Sequence, residues 1–191
     1  MLRQHYIIAI GGSAGSLEAL TVFFDHTIAD HASYIIVRHL PGAYHTQLRT
    51  ILKRHSQLHL VDVSGPTTLQ KSTIYIAPTD KDLILKDSHL QLVEKDNTGP
   101  NFCVDRLFHS LSNQSIGRRI IAVVLSGSGS DGTKGIGFIK KVGGVVIAQD
   151  PLSCQFKYMP QNAIASGFVD YIAAPDKMPL IIQKHIHHLG E

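Results

Sequence analysis

The sequence predicts an α/β fold: a doubly wound, largely parallel sheet with helices on both faces and an antiparallel hairpin at the edge. Short, continuous apolar runs recur along the chain, as in strands that are buried on both faces. Segments with apolar residues at helical spacing follow most of these runs, so strands and helices alternate. With 191 residues and 43% hydrophobic content, the chain can fill one core but is short for two. We therefore expect a single domain over residues 1–191.

The first predicted strand, residues 6–10, ends in a Gly-Gly-Ser-Ala-Gly turn at positions 11–15, and an amphipathic helix follows from Leu17. This turn matches G-x-S-x-G, in which small neighbours allow a strained turn that exposes a serine hydroxyl above the sheet. It lacks the Gly-Lys-Ser/Thr ending of a phosphate-binding loop, and its spacing misses G-x-G-x-x-G. Ser13 is thus a candidate nucleophile. The alternative is a tight turn in which Ser13 or Ser16 caps the helix.

The second predicted strand, residues 34–37, leads to His39 just before a Pro-Gly turn, and a helix follows over residues 48–55. In an open parallel sheet, residues at the carboxyl ends of strands face a common crevice. His39 and Ser13 can therefore share one site. The alternative for His39 is a strand-end histidine that is bonded to the backbone.

The pattern changes in the middle of the chain. Residues 73–78 form a predicted strand, whereas 83–86 and 90–93 flank a turn-forming Asp-Ser pair, as the strands of a hairpin do. Residues 94–101 are polar, contain a Gly-Pro pair and indicate a loop. The hairpin is the one antiparallel element of the predicted sheet.

The strongest predicted strand, residues 120–125, follows a helical segment at 104–111 and opens into Ser-Gly-Ser-Gly-Ser-Asp-Gly at positions 126–132. Asp131 therefore lies at a third strand end, and the three glycines let backbone amides point at a ligand. The alternative for Asp131 is a cap of the helix that opens at Gly132.

The remaining elements continue the alternation of strand and helix. They are a helix beginning near Ile136, a strand at 145–148, a short helix from Pro160 to Ile164, a strand at 169–172 and a helix from Met178 to Leu189. This alternation extends the parallel sheet to the end of the chain.

Ser13, His39 and Asp131 are the residue types that nucleophilic acyl chemistry requires: a hydroxyl, a base that titrates near neutrality and a carboxylate that fixes its tautomer. All three lie at predicted carboxyl ends of strands. Their order differs from the Ser-Asp-His order of the α/β-hydrolases, so the glycine pattern does not imply that fold.

The composition argues against several other classes of protein. The net charge of +3 is scattered, without the basic stripe of a nucleic-acid surface. No apolar run approaches the ~20 residues of a membrane span and no signal peptide is present, so we expect a cytoplasmic protein without membrane insertion. Cys103 and Cys154 match no zinc or disulfide spacing. His185 and His188 are helical neighbours, but no Cys or Asp completes a ligand set, so we expect no metal.

Several blocks of sequence occur in a recognisable order. They are IGGSAGS at 10–16, RHLP at 38–41, VDRLFHS at 104–110, LSGSGSDG at 125–132, IAQD at 147–150, and MP at 159–160 with AI at 163–164. These blocks resemble the catalytic domain of CheB-type chemotaxis protein-glutamate methylesterases, and they cover nearly the whole chain. The resemblance implies that Ser13, His39 and Asp131 form a catalytic triad.

The resemblance further implies a serine esterase that removes methyl groups from glutamates in the cytoplasmic region of chemoreceptors, releasing methanol during chemotaxis adaptation. Many family members also deamidate receptor glutamines. The reaction needs no cofactor. The backbone amides of Ala14 and of the loop at 127–129, Ser128 in particular, are candidates for the oxyanion hole.

The chain also departs from the family pattern. Family members commonly have Gln in place of Arg38, Met in place of Ser128 and Gly in place of Tyr158, changes that flank the predicted triad and bear on substrate choice. The usual N-terminal receiver domain has no counterpart, so we expect control by a separate regulatory protein or no control by phosphorylation. The alternative functions are an esterase for another substrate and a catalytically silent module that docks on chemoreceptors.

Overall fold

The computed structural model describes residues 5–28, 31–39, 45–95 and 102–188, without the side chains of 45, 46 and 188. The strands are β1 (Tyr6–Gly12), β2 (Ala32–Arg38), β3 (His59–Asp62), β4 (Thr67–Thr68), β5 (Thr73–Ile76), β6 (Lys81–Lys86), β7 (His89–Glu94), β8 (Ile120–Val124), β9 (Val145–Gln149) and β10 (Tyr171–Ala173). The α-helices are α1 (Ser16–Asp25), α2 (His45–His55), α3 (Cys103–Ser112), α4 (Thr133–Lys141), α5 (Tyr158–Ala165) and α6 (Met178–His188). None of the helices in these ranges has the length and apolarity that crossing a bilayer requires.

Seven parallel strands form the main sheet in the order β10-β9-β8-β1-β2-β5-β3. Strands β2, β5 and β3 lie on one side of β1, and the later strands β8, β9 and β10 lie on the other, so the strand order reverses between β1 and β8. The predicted doubly wound α/β fold is confirmed. Sheets of this kind bind ligands outside the carboxyl ends of their strands at the point of reversal. Ser13 follows β1 at that point.

The side chains of β1 alternate between two cores, as side chains do along any strand. Ile7 belongs to a core with Val104 of α3 and Ile136 of α4, whereas Ile8 belongs to the opposite core with Leu20 of α1. Burial on both faces explains why the central strands are apolar throughout. Each fully buried side chain of this size contributes ~1.5–3 kcal/mol, so the central strands hold their carboxyl ends in fixed positions.

The predicted hairpin is present, but its place differs from the prediction. β6 and β7 pair antiparallel, and Asp87 and Ser88 between them have φ of 50° and 65°, as a tight type I′ turn requires. These strands form a separate three-stranded sheet with β4 instead of extending the edge of the main sheet. The reason is their contact with α3: Leu85 and Leu90 are buried in the α3 core, and the Leu85 amide donates to the Ser110 hydroxyl at 2.9 Å.

Other differences arise where the local signal is weak. β3 and β4 were not predicted because they are short, and β3 has apolar residues only at Leu60 and Val61. α5 begins before Pro160, and proline fits there because the amides of a first helical turn have no intrahelical acceptor. The last strand is Tyr171–Ala173 instead of 169–172. The predicted loop at 94–101 and the turn after His39 lie mostly outside the described residues.

Candidate active site

Ser13 and His39 follow two neighbouring strands at the carboxyl edge of the main sheet. Gly12 of β1 is opposite Arg38 of β2, and the His39 amide donates to the Gly12 carbonyl oxygen at 3.3 Å. On the other side of β1, the Ser13 amide donates to the Ser126 carbonyl oxygen at 2.9 Å. These backbone bonds bring Ser13, His39 and the loop after β8 to one edge of the sheet.

Helix α1 begins just after Ser13, and Ser16 holds its first turn. The Ser16 hydroxyl and amide donate to the Ser13 carbonyl oxygen at 2.6 and 3.1 Å. The N-cap is Gly15, with a left-handed φ of 72°, and no side chain caps the helix. A Cβ at Gly15 would approach the Ser126 hydroxyl to 2.7 Å, so this position requires glycine. The Ser13 side chain is therefore not the cap of α1.

A hydrogen bond of 2.6 Å joins Nε2 of His39 to Oδ2 of Asp131, which lies 92 positions further along the chain. The side chain of His39 is 28% exposed and that of Asp131 is 3% exposed, so the pair reaches from the surface into the interior. A neutral imidazole that donates through Nε2 has an unprotonated Nδ1. Nδ1 is then the nitrogen that can accept a proton.

Three backbone amides also hold the carboxylate of Asp131. The Val104 amide donates to Oδ2 at 2.9 Å, and the Asp105 and Gly132 amides donate to Oδ1 at 2.9 and 2.8 Å. Val104 and Asp105 lie in the first turn of α3, where amides have no intrahelical acceptor and carry the positive end of the helix dipole. These donors stabilise a carboxylate in a place where burial alone would disfavour its charge.

The sequence raised the alternative that the Asp131 side chain caps α4, and the structure differs from it. α4 begins after Gly132 without a side-chain cap, and Asp131 binds the start of α3 instead. Close packing of α3 on β1 makes this possible, because a Cβ at Gly11 would lie 2.2 Å from Cγ1 of Val104. The sequence pattern did not reveal these donors, because α3 is distant from Asp131 along the chain.

Asp105 joins α3 to α4 beside this carboxylate. Its Oδ1 accepts a hydrogen bond from the Gly135 amide at 2.6 Å. Burial raises the pKa of Asp105, the bond from Gly135 lowers it, and the negative charge of Asp131 raises it further. Burial therefore disfavours the negative charge of Asp105, and the hydrogen bond from Gly135 partly offsets this.

A metal ion has one candidate position among the described residues. Ligand atoms of His39, Cys103 and Asp131 lie within 4.8 Å of one another. Burial raises the pKa of the Cys103 thiol, and the charges of Asp131 and Asp82 raise it further, so the metal-binding thiolate is disfavoured. The carboxylate of Asp131 is already occupied by His39 and three amides. The absence of a metal at His185 and its neighbours stays a prediction.

The loop after β8 packs against Ser13. The Gly127 amide donates to the Phe156 carbonyl oxygen at 2.9 Å, and the Gly127 carbonyl accepts from the Met159 amide at 3.0 Å. A Cβ at Gly127 would lie 2.0 Å from Sδ of Met159 and 3.1 Å from Cβ of Ser13. Within the described ranges, the amides of Ala14 and Ser128 have no acceptor, so both are free to meet a ligand.

Two residues without a predicted role position this loop. The buried Gln149 accepts a hydrogen bond from the Ser126 amide at 2.8 Å through Oε1. The Ser126 hydroxyl donates to the Ala14 carbonyl oxygen at 2.9 Å and accepts from the Phe156 amide at 3.0 Å. Both residues lie at strand ends and within the blocks of family resemblance, and these were the sequence signals that could have identified them.

Arg38 lies between β2 and the turn that carries Ser13. Its Nε donates to the Ser16 hydroxyl at 2.7 Å, the same hydroxyl that donates to the Ser13 carbonyl oxygen. Burial lowers the pKa of Arg38 to about 10, which still leaves the guanidinium charged at neutral pH. Within the described residues, no carboxylate pairs with it.

The fold and this edge define a class of protein: a doubly wound parallel-sheet domain in which neighbouring strand ends carry a serine and a histidine–aspartate pair. A family model described as CheB methylesterase matches residues 8–182. The chain belongs to this family.

Comparisons with known proteins agree on the family. The chain is 40% identical over 123 residues to an uncharacterized 104.1 kDa protein of Rhodobacter capsulatus, covering 64% of this chain and 13% of that protein. It is 27% identical over 190 residues to a protein-glutamate methylesterase/protein-glutamine glutaminase of Hydrogenovibrio crunogenus, covering 95% of this chain and 50% of the relative. The chain thus spans half or less of the length of these two relatives.

The fold is also similar to a solved structure. The crystal structure of the Thermotoga maritima CheB methylesterase catalytic domain matches with a TM-score of 0.87 and 29% sequence identity. The match covers 96% of this chain and 98% of that domain. The resemblance that the sequence blocks indicated is therefore confirmed for the fold and the family.

Proposed function

We propose that this chain is a cytoplasmic serine esterase that hydrolyses the methyl esters of glutamate side chains, with Ser13, His39 and Asp131 as its catalytic triad. The observation that carries the proposal is the hydrogen bond between the partly exposed His39 and the buried, amide-supported Asp131 at the strand ends where Ser13 also lies. The name protein-glutamate methylesterase/protein-glutamine glutaminase, borne by relatives over most of the chain, supports the reaction class.

The reaction proceeds through an acyl-enzyme. Ser13 Oγ attacks the ester carbonyl carbon while Nδ1 of His39 takes its proton. The tetrahedral intermediate collapses, the C–O bond to the methoxy group breaks, and His39 returns the proton so that methanol leaves. Water then attacks the Ser13 ester with His39 again as base, releasing a glutamate carboxylate and the free serine.

Asp131 orients the imidazole and stabilises its positive charge while the proton is held. Its bonds to three amides fix the carboxylate before substrate arrives, so little reorganisation is needed in the transition state. The amides of Ala14 and Ser128 supply the oxyanion hole, where one donor is worth ~3 kcal/mol of barrier. The Gly127 amide is not one of these donors because it is bonded to Phe156.

We propose the methylated cytoplasmic region of chemoreceptors as the substrate, as the family resemblance implies. Deamidation of glutamine would use the same acyl-enzyme, with ammonia leaving instead of methanol.

Methanol release from a methylated chemoreceptor fragment tests the proposal directly. The wild type should turn over, and Ser13→Ala should not, while both bind the fragment. Turnover of small esters without turnover of the fragment would indicate an esterase for another substrate. Binding of the fragment without turnover of any ester would indicate a silent docking module.

A further inference from the structure

Arg38 is a cation that ends the strand beside the proposed nucleophile, and no anion among the described residues pairs with it. It ends β2 directly before His39, and its register partner Gly12 directly precedes Ser13. Its Nε reaches the buried Ser16 hydroxyl, which in turn donates to the Ser13 carbonyl oxygen. The guanidinium is thereby tied to the turn that carries Ser13.

One hydrogen bond uses only one of the five N–H donors of a guanidinium. Within the described ranges, the other four have no hydrogen-bond acceptor, and Ser16 is a neutral partner. A half-buried positive charge without an anion is costly, because burial removes water that would otherwise solvate it. An anion that enters the crevice would recover this cost.

A carboxylate suits this group best. Two terminal nitrogens of a guanidinium form parallel bonds to the two oxygens of a carboxylate, and such pairs are stronger than neutral hydrogen bonds. Among the described residues, the two carboxylates of the site are already engaged, Asp131 with His39 and Asp105 with Gly135, so the carboxylate would come from the substrate.

We infer that Arg38 is a specificity-determining residue that binds a substrate carboxylate next to the scissile ester, so that the enzyme prefers esters in an acidic peptide segment. This inference rests on the proposed esterase function and names its substrate class more closely.

Two peptides that differ only beside the glutamate methyl ester test this inference, one with glutamate and one with glutamine as the neighbour. The ratio of their kcat/KM values should be about ten for the wild type, mostly through KM, and should decrease with added salt. Arg38→Gln should reduce the ratio to about two, and Arg38→Lys should give an intermediate value. Lys53→Gln, which removes an exposed charge on α2 at the opposite edge, should leave the ratio unchanged.

Equal rates for the two peptides in the wild type, or an unchanged ratio in Arg38→Gln, would overturn the inference. The inference would also fail if Arg38→Gln changed only the inhibition by the glutamate product, because Arg38 would then bind the product and not a carboxylate next to the ester. If the wild type hydrolyses neither peptide, the esterase proposal fails separately. Binding of both intact esters to Ser13→Ala still measures the charge preference in that case.

Discussion

Within the described residues, one histidine–aspartate pair occurs at the carboxyl ends of the main-sheet strands and another at their amino ends. His39 and Asp131 pair at the carboxyl edge. At the amino ends of the strands, Nδ1 of His55 lies 2.9 and 3.1 Å from the carboxylate oxygens of Asp25. Each pair even has a serine nearby, because Ser56 lines the same cleft as His55 and Asp25. Residue types alone do not distinguish the two sites.

The surroundings of the carboxylate distinguish them. Asp131 is 3% exposed and accepts bonds from three amides, whereas Asp25 is 47% exposed and, among the described residues, bonds only to His55. An exposed ion pair contributes about 0–1 kcal/mol and leaves both side chains free to turn. A carboxylate fixed by amides holds its imidazole in one orientation. Preorganisation, more than composition, makes the first site suited to catalysis.

The largest effect should come from removing the Ser13 hydroxyl, with removal of the Ser56 hydroxyl as its control. Ser13→Ala should lower kcat for methanol release by about 10⁵–10⁶-fold, because no nucleophile remains. Ser56→Ala should stay within about twofold, because the Ser56 hydroxyl only accepts a bond from the Leu58 amide. A large loss of turnover in Ser56→Ala would show that the active site lies beside His55 and Asp25 instead of beside His39 and Asp131.

The two aspartates should differ by the next largest factor. Asp131→Asn should lower kcat by about 10⁴-fold, because the amide favours the wrong histidine tautomer. Asp25→Asn should change kcat by less than about twofold and the free energy of unfolding by less than ~1 kcal/mol. Steady-state kinetics and thermal unfolding of both variants measure this. A fully active Asp131→Asn would show that another carboxylate orients His39.

Two glycines of one loop sharpen the comparison within the candidate site. Gly127→Ala should lower kcat by about 10²-fold, because the new Cβ overlaps Met159 and presses on Ser13. It should also cost ~1–3 kcal/mol of stability through overpacking. A Cβ at Gly129 meets no atom of the described residues within 4 Å, so Gly129→Ala is the matched control with little loss. Equal effects would indicate that the loop moves freely around Ser13.

The smallest effect concerns Asp105 and depends on pH. Its pKa is raised in the folded protein, chiefly by burial, so the unfolded chain releases this proton at a lower pH. Stability therefore decreases as pH rises from the unfolded pKa to the folded one, and the cost persists at neutral pH. Asp105→Asn should raise the melting temperature slightly at pH 7 and not at pH 3. A lower melting temperature at both values would show that the bond to Gly135 outweighs the charge.

The alternation of elements could be predicted because the central strands and the helices that follow them carry strong local patterns. The apolar runs before Ser13 and Asp131 are buried on both faces, so their sequence alone identifies them as strands. β3 escaped prediction because an edge strand of four residues has little pattern. The hairpin was placed wrongly relative to the sheet because its partner, α3, follows it in the chain.

For the site, position at strand ends was enough to propose Ser13, His39 and Asp131. The hydrogen bonds that hold these side chains in place could not be predicted. The amides that hold Asp131 come from the start of α3, and only the packing of α3 on Gly11 brings them there. The same limit applies to the pair of His55 and Asp25, since no local pattern states how exposed a carboxylate will be.

The pairing of β1 has a consequence for how the protein folds. Ile7 pairs with Ile120, so one side of β1 stays an open strand edge until more than half of the chain has been synthesised. Pairings of such high sequence separation form slowly and leave apolar edges exposed to aggregation meanwhile. His39 and Asp131 meet only through this closure, so recovery of the proposed esterase activity during refolding would report when the two halves of the chain join.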